Sequence, residues 1–140
     1  MRNAREFDPA AVIRALSQQQ VDYVAVGVFG AIVLGSALTT DRVAIVTSTT
    51  QSQAIGRVRL DLESLAEQLE VHEASDSQAV QRLKERASVV SLYETVIPVA
   101  ALSDIIEMMT NSRSLADQAA LPHLYALEDE IAALERERRQ

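Results

Sequence analysis

The N-terminal part of the chain alternates between helical and strand patterns. Asp8 and Pro9 predict a helix start, because Asp caps free backbone amides and Pro fits the first turn. The apolar residues that follow form one stripe: Val12, Ile13 and Leu16. Residues 21–28 are nearly all apolar and rich in β-branched side chains, which predicts a buried strand. Residues 31–34 predict a short helix that ends at Gly35.

A second strand is predicted over 43–46, followed by a polar stretch over 47–53 that offers no core face and predicts a turn. From residue 57 onward, apolar and charged residues alternate, which is the period-two signature of a half-buried strand. The apolar members of this alternation are Val58, Leu60 and Leu62. Because strand, turn and strand lie close together in the chain, we predict an antiparallel hairpin over about 43–62.

The rest of the chain predicts helices over 63–69, 77–87 and 103–109 and strands over 89–93 and 95–99. Pro98 places the last strand at a sheet edge, because proline cannot donate to a ladder. Leu121 and Pro122 are predicted to open the final helix, whose core stripe is Leu124, Leu127, Ile131 and Leu134. We therefore expect one α+β domain over residues 1–140. It should hold a small mixed or antiparallel sheet flanked by helices, with a helical C-terminal part from about 101.

Composition narrows the functional classes. The net charge of −7 argues against a sequence-independent nucleic-acid binder, which needs cations to displace phosphate counterions. The absence of cysteine excludes disulfides, thiolate zinc sites and a cysteine nucleophile. Neither a signal peptide nor a membrane-spanning run is predicted, so we expect a cytoplasmic protein without a membrane partner.

Candidate chemistry is sparse. His72 and His123 stand far apart in the chain without companions at ligand spacing, so we predict no metal role for them. Asp61 and Glu63 share one side of the predicted strand, where two carboxylates could hold Mg²⁺ while substrate phosphates complete the shell. Asp41 stands before the second strand and is either a further ligand or the end of a turn. Two small residues after the short helix are a weak phosphate-binding candidate: Gly35 and Ser36.

Two stretches of the chain resemble minimal nucleotidyltransferase-like proteins, members of the polymerase-β superfamily that are common in toxin–antitoxin loci. They are VDYVAVGVFGAIVLGSALTTDRVAIV over 21–46 and VAALSDIIEMMTNSRSLADQAALPHL over 99–124. The first stretch matches at Val21, Asp22, Tyr23, Gly27, Ala31, Gly35, Ser36, Thr40 and Ile45. The second matches at Leu102, Asp104, Ile105, Ile106, Met108, Asp117, Ala119, Leu121, Pro122 and Leu124. The resemblance implies a nucleotidyltransferase-like fold.

The departures from this pattern fall on the functional positions. In the family, two carboxylates on one strand chelate Mg²⁺ and align the nucleotide's phosphates for in-line attack. Those positions are Arg42 and Ala44 here, and Asp41 lies one residue out of register, which turns a strand side chain to the other face. Arginine also reverses the local charge and so disfavours Mg²⁺. The family's second glycine, histidine and arginine are replaced as well, by Val28, Leu34 and Leu38.

The third carboxylate that the resemblance implies belongs on the strand after residue 56. It is either Asp61, or it is lost to Arg59. A locally shifted register would make Asp41 and Asp61 a catalytic and metal-binding pair, with Glu63 as a further ligand. The cofactors would then be Mg²⁺ and a nucleoside triphosphate, bound at the small residues 35 and 36.

A framework that matches the resemblance while its functional positions are changed indicates a scaffold that has lost its metal site. The first 60 residues, where an active member should concentrate acids, hold six arginines against four acids. We therefore expect a catalytically degenerate nucleotidyltransferase-fold protein that acts as an interaction or regulatory module, in a toxin–antitoxin system, with a protein partner. The acidic residues of the last helix are one candidate surface for that partner: Glu128, Asp129, Glu130 and Glu135.

Two alternatives stay open. The first is an active Mg²⁺-dependent nucleotidyltransferase that modifies a protein or a tRNA. The second is a metal-independent nucleotide-binding sensor, in which Arg42, Arg57 and Arg59 contact phosphate. The two differ in whether nucleotide binding requires Mg²⁺.

Overall fold

Helices and strands alternate along the chain in the computed structural model, which describes residues 6–74 and 76–139. The helices are α1 (Pro9–Gln18), α2 (Gly27–Val33), α3 (Ser52–Leu62), α4 (Ser77–Arg86), α5 (Leu102–Thr110) and α6 (Leu115–Arg138). The strands are β1 (Tyr23–Val26), β2 (Val43–Ser48), β3 (Leu69–Ala74), β4 (Ser88–Leu92) and β5 (Thr95–Val99). Two short 3₁₀ segments flank α3, Thr49–Gln51 before it and Glu63–Gln68 after it.

The five strands form one mixed sheet in the order β3-β2-β1-β5-β4. β1 pairs antiparallel with β2, and β4 pairs antiparallel with β5. The β2–β3 and β1–β5 pairs are parallel. Every residue of β1 and β2 is buried, as expected for strands that are covered on both faces. The predicted α+β domain with a small mixed sheet flanked by helices is confirmed.

The N-terminal helix begins where its sequence predicts. The Asp8 carboxylate accepts a hydrogen bond from the Ala11 N–H at 3.1 Å and so caps α1. The predicted stripe on α1 is fully buried. The following strand is shorter than predicted, because Gly27 turns the chain into α2 with φ +67°. Residues with a Cβ rarely adopt this conformation, so the glycine fixes the end of β1 at Val26.

The hairpin predicted over 43–62 is wrong, because residues 52–62 form a helix. The antiparallel partner of β2 is β1, which precedes it in the chain. In α3 the buried residues recur at helical spacing, as Ala54, Ile55, Val58 and Leu62. Leu60, which the alternation placed in the core, is exposed. Only six residues, 57–62, carried the alternation, so a helical face and a strand face were both compatible with it.

Of the polar residues predicted as a turn over 47–53, the first two extend β2, and the chain turns after them through the 3₁₀ segment Thr49–Gln51 into α3. Thr47 and Ser48 are buried, yet their hydroxyl groups are both satisfied. The Thr47 hydroxyl donates to the backbone oxygen of Asp22 at 2.6 Å. The Ser48 hydroxyl accepts from the Thr50 N–H at 3.2 Å and caps the 3₁₀ segment that follows. Hydrogen bonding of this kind removes the cost of burying a hydroxyl, so polar residues can end an interior strand.

Pro98 does not mark a sheet edge, which corrects the prediction for β5. β5 lies between β1 and β4, and β4 is the outer strand. Pro98 stands opposite Val89 of β4, and its nitrogen faces away from β4, toward β1. A hydrogen bond to β1 is made two residues after the proline, where the Ala100 N–H donates to the Ala25 oxygen at 3.0 Å. The missing proline N–H therefore breaks no bond of the β4–β5 ladder.

The last helix begins earlier than predicted. α6 starts at Leu115 rather than at 121–122, and the Ser114 hydroxyl caps it by accepting from the Asp117 N–H at 3.3 Å. Pro122 therefore lies inside the helix, where it removes one backbone hydrogen bond. Buried residues of one face continue on both sides of the proline: Ala120, Leu121, Leu124 and Leu127. This face packs mainly on α5, which offsets the lost bond.

Burial of Tyr23 on β1 predicts a loss of stability at alkaline pH. Desolvation raises the pKa of its phenol to about 12, from an ordinary value near 10. The raised pKa contributes about 2–3 kcal/mol of stability, which is complete below pH ~10 and lost as the pH rises toward ~12. Urea unfolding across this range should show a steep decline for the wild type and a shallower one for Tyr23→Phe.

Tyr125→Phe is the matched control for this experiment, because Tyr125 lies on an exposed part of α6. It should retain the alkaline decline of the wild type. Equal declines in the wild type and Tyr23→Phe would show that ionisation of Tyr23 does not limit stability at high pH.

Candidate functional site

A cleft of about 950 Å³ opens between one face of the sheet and the helices α5 and α6. Its sheet side is formed by the end of β1, the start of α2, and parts of β2 and β3. The segment 38–42, which leads into β2, forms a second wall, and the C-terminal end of α5 with the first half of α6 forms the third. The size lies within the range of small-molecule sites in proteins.

Three neighbouring strands present one row of side chains to the floor of this cleft. The strand registers place Val26 of β1 beside Ala44 of β2, and Ala44 beside Glu70 of β3. Side chains alternate along a strand, so Val43 and Ile45 point to the opposite face, where they are fully buried. Ala44 is also close to Gly27, since a Cβ on the glycine would lie 3.2 Å from the Ala44 Cβ. The floor is therefore narrow and apolar at its centre.

Charged side chains form a chain of ion pairs at the β2–β3 side of the cleft. The Arg42 Nη1 lies 3.7 Å from the Glu70 Oε1, and the Arg42 Nε lies 3.9 Å from the Asp41 Oδ1. The His72 Nε2 lies 2.6 Å from the second oxygen of Glu70. Glu70 thus contacts two basic groups, one on each carboxylate oxygen. Both carboxylate oxygens of Glu70 therefore have a partner within the protein.

The helical wall opposite the sheet combines apolar and polar groups. Met108 and Met109 of α5 line it, and methionine side chains adapt readily to ligands of irregular shape. Asp117 and His123 of α6 also line the cleft. His72 and His123, distant in the chain, therefore face the same cavity. Within residues 6–74 and 76–139, no three metal-binding side chains converge as a metal site.

The carboxylates that the sequence suggested as metal ligands are not brought together. Asp41 lines the cleft, whereas Asp61 and Glu63 do not. Asp61 lies on α3, where its carboxylate accepts a hydrogen bond from the Gln19 side chain at 2.7 Å. Glu63 follows the last residue of α3 with φ +54°. Their predicted positions on a strand are wrong, because this segment is helical.

Gly35 and Ser36, the weak phosphate-binding candidates, end α2 outside the cleft lining. The Ser36 N–H donates to the Ala31 oxygen at 2.9 Å, and the Gly35 N–H donates to the Ile32 oxygen at 3.0 Å. This is the Schellman pattern of a helix end, and the φ of +121° at Gly35 fits it. The two residues thus serve to terminate the helix.

The strand that follows residue 56 is β3, which the sequence analysis missed. Neither Asp61 nor Arg59 lies on it, and the Arg59 guanidinium instead donates to the backbone oxygen of Ala66 at 3.1 Å. Glu70 occupies the position beside Ala44. The alternation over 69–72, with Leu and Val inward and Glu and His outward, was the available signal. It was overlooked because the preceding 3₁₀ segment was predicted as a helix that reached residue 69.

The remaining site candidates lie away from the cleft. Arg57 is on α3 and donates to the Gln19 side chain at 3.0 Å. The acidic side chains of the last helix are exposed on the C-terminal half of α6: Glu128, Asp129, Glu130 and Glu135. Of the three arginines in the sensor hypothesis, only Arg42 lines the cleft.

None of the helices in the described part of the chain combines the length and apolar character that crossing a bilayer requires. Comparisons of the chain with protein-family models, with curated proteins and with solved structures gave no match.

Proposed function

We propose that this chain is a catalytically degenerate nucleotidyltransferase-fold protein that acts as an interaction or regulatory module, of the kind found in toxin–antitoxin pairs. The observation that carries the proposal is the pair of cleft-lining residues on and before β2. Arg42 and Ala44 stand where the resemblance requires two carboxylates. The carboxylate beside Ala44 on β3, Glu70, is already paired with Arg42 and His72, and Asp41 also lies next to Arg42.

Electrostatics support a cleft that works without a divalent metal. Mg²⁺ binds through hard oxygen ligands, and carboxylates on adjacent positions usually supply them. Here one such position is an alanine and the other an arginine, whose positive charge raises the energy of a nearby cation. A metal at Glu70 would also have to displace Arg42. The active-enzyme alternative receives the least support, because only Asp41 of its three proposed ligands reaches the cleft.

Metal-independent nucleotide binding is a second candidate, and the cleft itself favours it. A volume of about 950 Å³ accommodates a mononucleotide, and the cleft carries one guanidinium and two imidazoles beside the carboxylates of Asp41, Glu70 and Asp117. The apolar floor and the methionines of α5 suit a planar base, while Arg42 suits a phosphate. Arg57 and Arg59 play no part in this version of the hypothesis, since neither lines the cleft.

Calorimetric titration with ATP, with and without Mg²⁺, tests these proposals. We expect the two isotherms to coincide, because no group in the cleft requires the metal. Titration with Mg²⁺ alone should give no binding heat. If ATP binds, Arg42→Ala should weaken it roughly tenfold by removing a charge-assisted hydrogen bond. Arg57→Ala, the matched control on α3, should leave it unchanged.

Strictly Mg²⁺-dependent ATP binding would contradict both proposals. So would transfer of radiolabelled nucleotide to a protein or RNA acceptor that Asp41→Ala abolishes. Identical absence of heat in both titrations would remove the nucleotide-binding candidate and leave the interaction module.

A further inference from the structure

The outer strand β4 leaves its free edge open. β4 is at one end of the sheet, and β5 is its only strand partner in the described part of the chain. Its sequence, SVVSL, contains neither a charged residue nor a proline. Edge strands are commonly protected from pairing by such residues. The opposite edge strand β3 has this protection, because it carries Glu70 and Glu73.

Pro98 determines which backbone groups of β4 face outward. In an antiparallel ladder, hydrogen-bonded pairs exchange two N–H···O bonds and alternate with pairs that exchange none. The Val89–Pro98 pair must belong to the second kind, because proline has no N–H. By alternation the Ser91–Val96 pair does too. The N–H and C=O groups of Val89 and Ser91 therefore point away from β5, toward the free edge.

These outward groups are self-complementary. If a second copy pairs antiparallel with β4 about a two-fold axis at Val90, each Val89 faces Ser91 of the second copy. Both residues of that pair present outward N–H and C=O groups, so two hydrogen-bonded pairs form with four backbone hydrogen bonds in total. Val90 then faces Val90 of the second copy in a pair without hydrogen bonds. The register with the greatest overlap between the two β4 strands is therefore also the one in which the outward N–H and C=O groups pair.

Exposed apolar surface fits the same arrangement. Val89 and Val96 lie on one face of the β4–β5 hairpin with 68% and 57% of their surface exposed. Pairing of the edges covers part of this apolar surface with the other copy.

We propose that the protein self-associates through β4, forming a two-fold dimer in which the two sheets join into one of ten strands. The surface is self-complementary, as the interface of a two-fold dimer must be. The dimer leaves the cleft free, because no residue of β4 lines it. This inference does not depend on the proposed function of the cleft.

Sedimentation velocity of the full chain over a concentration series tests the dimer. We expect a concentration-dependent monomer–dimer equilibrium. Ser91→Pro removes an outward N–H of each copy while preserving the bonds to β5, and should weaken dimerisation roughly tenfold or more. Ser91→Ala keeps that N–H and is the matched control, which should leave the equilibrium unchanged.

Cross-linking tests the register directly, because the chain has no cysteine. Val90→Cys should form a covalent dimer under mild oxidation, since the two residues meet on the axis at a Cα separation of about 4.5 Å. Ser88→Cys should not, because it faces Leu92 of the second copy. A wild-type chain that stays monomeric at the highest soluble concentration would overturn the proposal. A dimer in which Val90→Cys fails to cross-link would also overturn it. If Ser91→Pro does not fold, the cross-linking experiment alone tests the proposed interface.

Discussion

Leu124→Ala should lower the free energy of unfolding by about 2–5 kcal/mol. Leu124 lies in the middle of α6 and has 0% of its surface exposed. It follows Pro122, where α6 lacks a backbone hydrogen bond, so the packing of this turn helps to hold the helix together. Truncation removes buried methyl groups and leaves a cavity beneath the helix. Urea unfolding followed by circular dichroism would measure the change.

Leu134→Ala is the matched control, with the same substitution on the same helix. Leu134 is 55% exposed, so its truncation should change the free energy of unfolding by less than about 0.5 kcal/mol. Both leucines belong to one stripe in the sequence, and only their depth in the fold separates them. Comparable losses from the two variants would mean that the end of α6 is covered in solution.

Asp104→Ala should lower the free energy of unfolding by about 2 kcal/mol. Asp104 is in the first turn of α5, and only 7% of its side chain is exposed. Its two carboxylate oxygens accept from the Arg86 Nη2 at 2.5 Å and from the Arg86 Nε at 3.1 Å. The same hydrogen bonds raise the pKa of Arg86. This pair joins α4 to α5, so its loss removes a link between α4 and the C-terminal helices.

Comparing the stability losses of Arg86→Ala and Asp104→Ala tests whether the carboxylate of this ion pair is more deeply buried than the guanidinium. Arg86→Ala should be more destabilising than Asp104→Ala, because it leaves a buried carboxylate without its partner. Asp104→Ala leaves Arg86, which is 61% exposed and can be hydrated. Arg82→Ala, on an exposed position of α4, is the control and should change stability little. A milder effect of Arg86→Ala than of Asp104→Ala would show that water reaches Asp104.

Several elements could be predicted from the sequence because their signals are local. The cap at Asp8, the stripe of α1 and the continuous apolar run of β1 each reflect bonds or contacts within a few residues. Residues 52–62 could not be assigned in the same way. A short alternation fits a strand, yet Ala54, Val58 and Leu62 also share one face of a helix. Their contacts with α1 and the following 3₁₀ segment decide between the two.

The candidate site was predicted in part. Arg42 was placed correctly just before the second strand and Ala44 within it, because a short run rich in β-branched residues begins at residue 43. The strand that carries Glu70 and His72 was missed, and its parallel pairing with β2 depends on contacts between distant segments that no local pattern predicts. The cleft itself depends on α5 and α6, whose residues are distant in sequence from those of the sheet.

Most helices and strands, and the residues before and within β2, could be predicted from the chain without the fold. Its acidic balance, the lack of cysteine and the arginine at position 42 also follow from the chain alone. The fold was needed to establish which strands pair, that Glu70 contacts Arg42 and His72, and that Asp61 does not reach the cleft. Periodicity records which side of an element is apolar, whereas pairing depends on contacts between segments that are far apart in the chain.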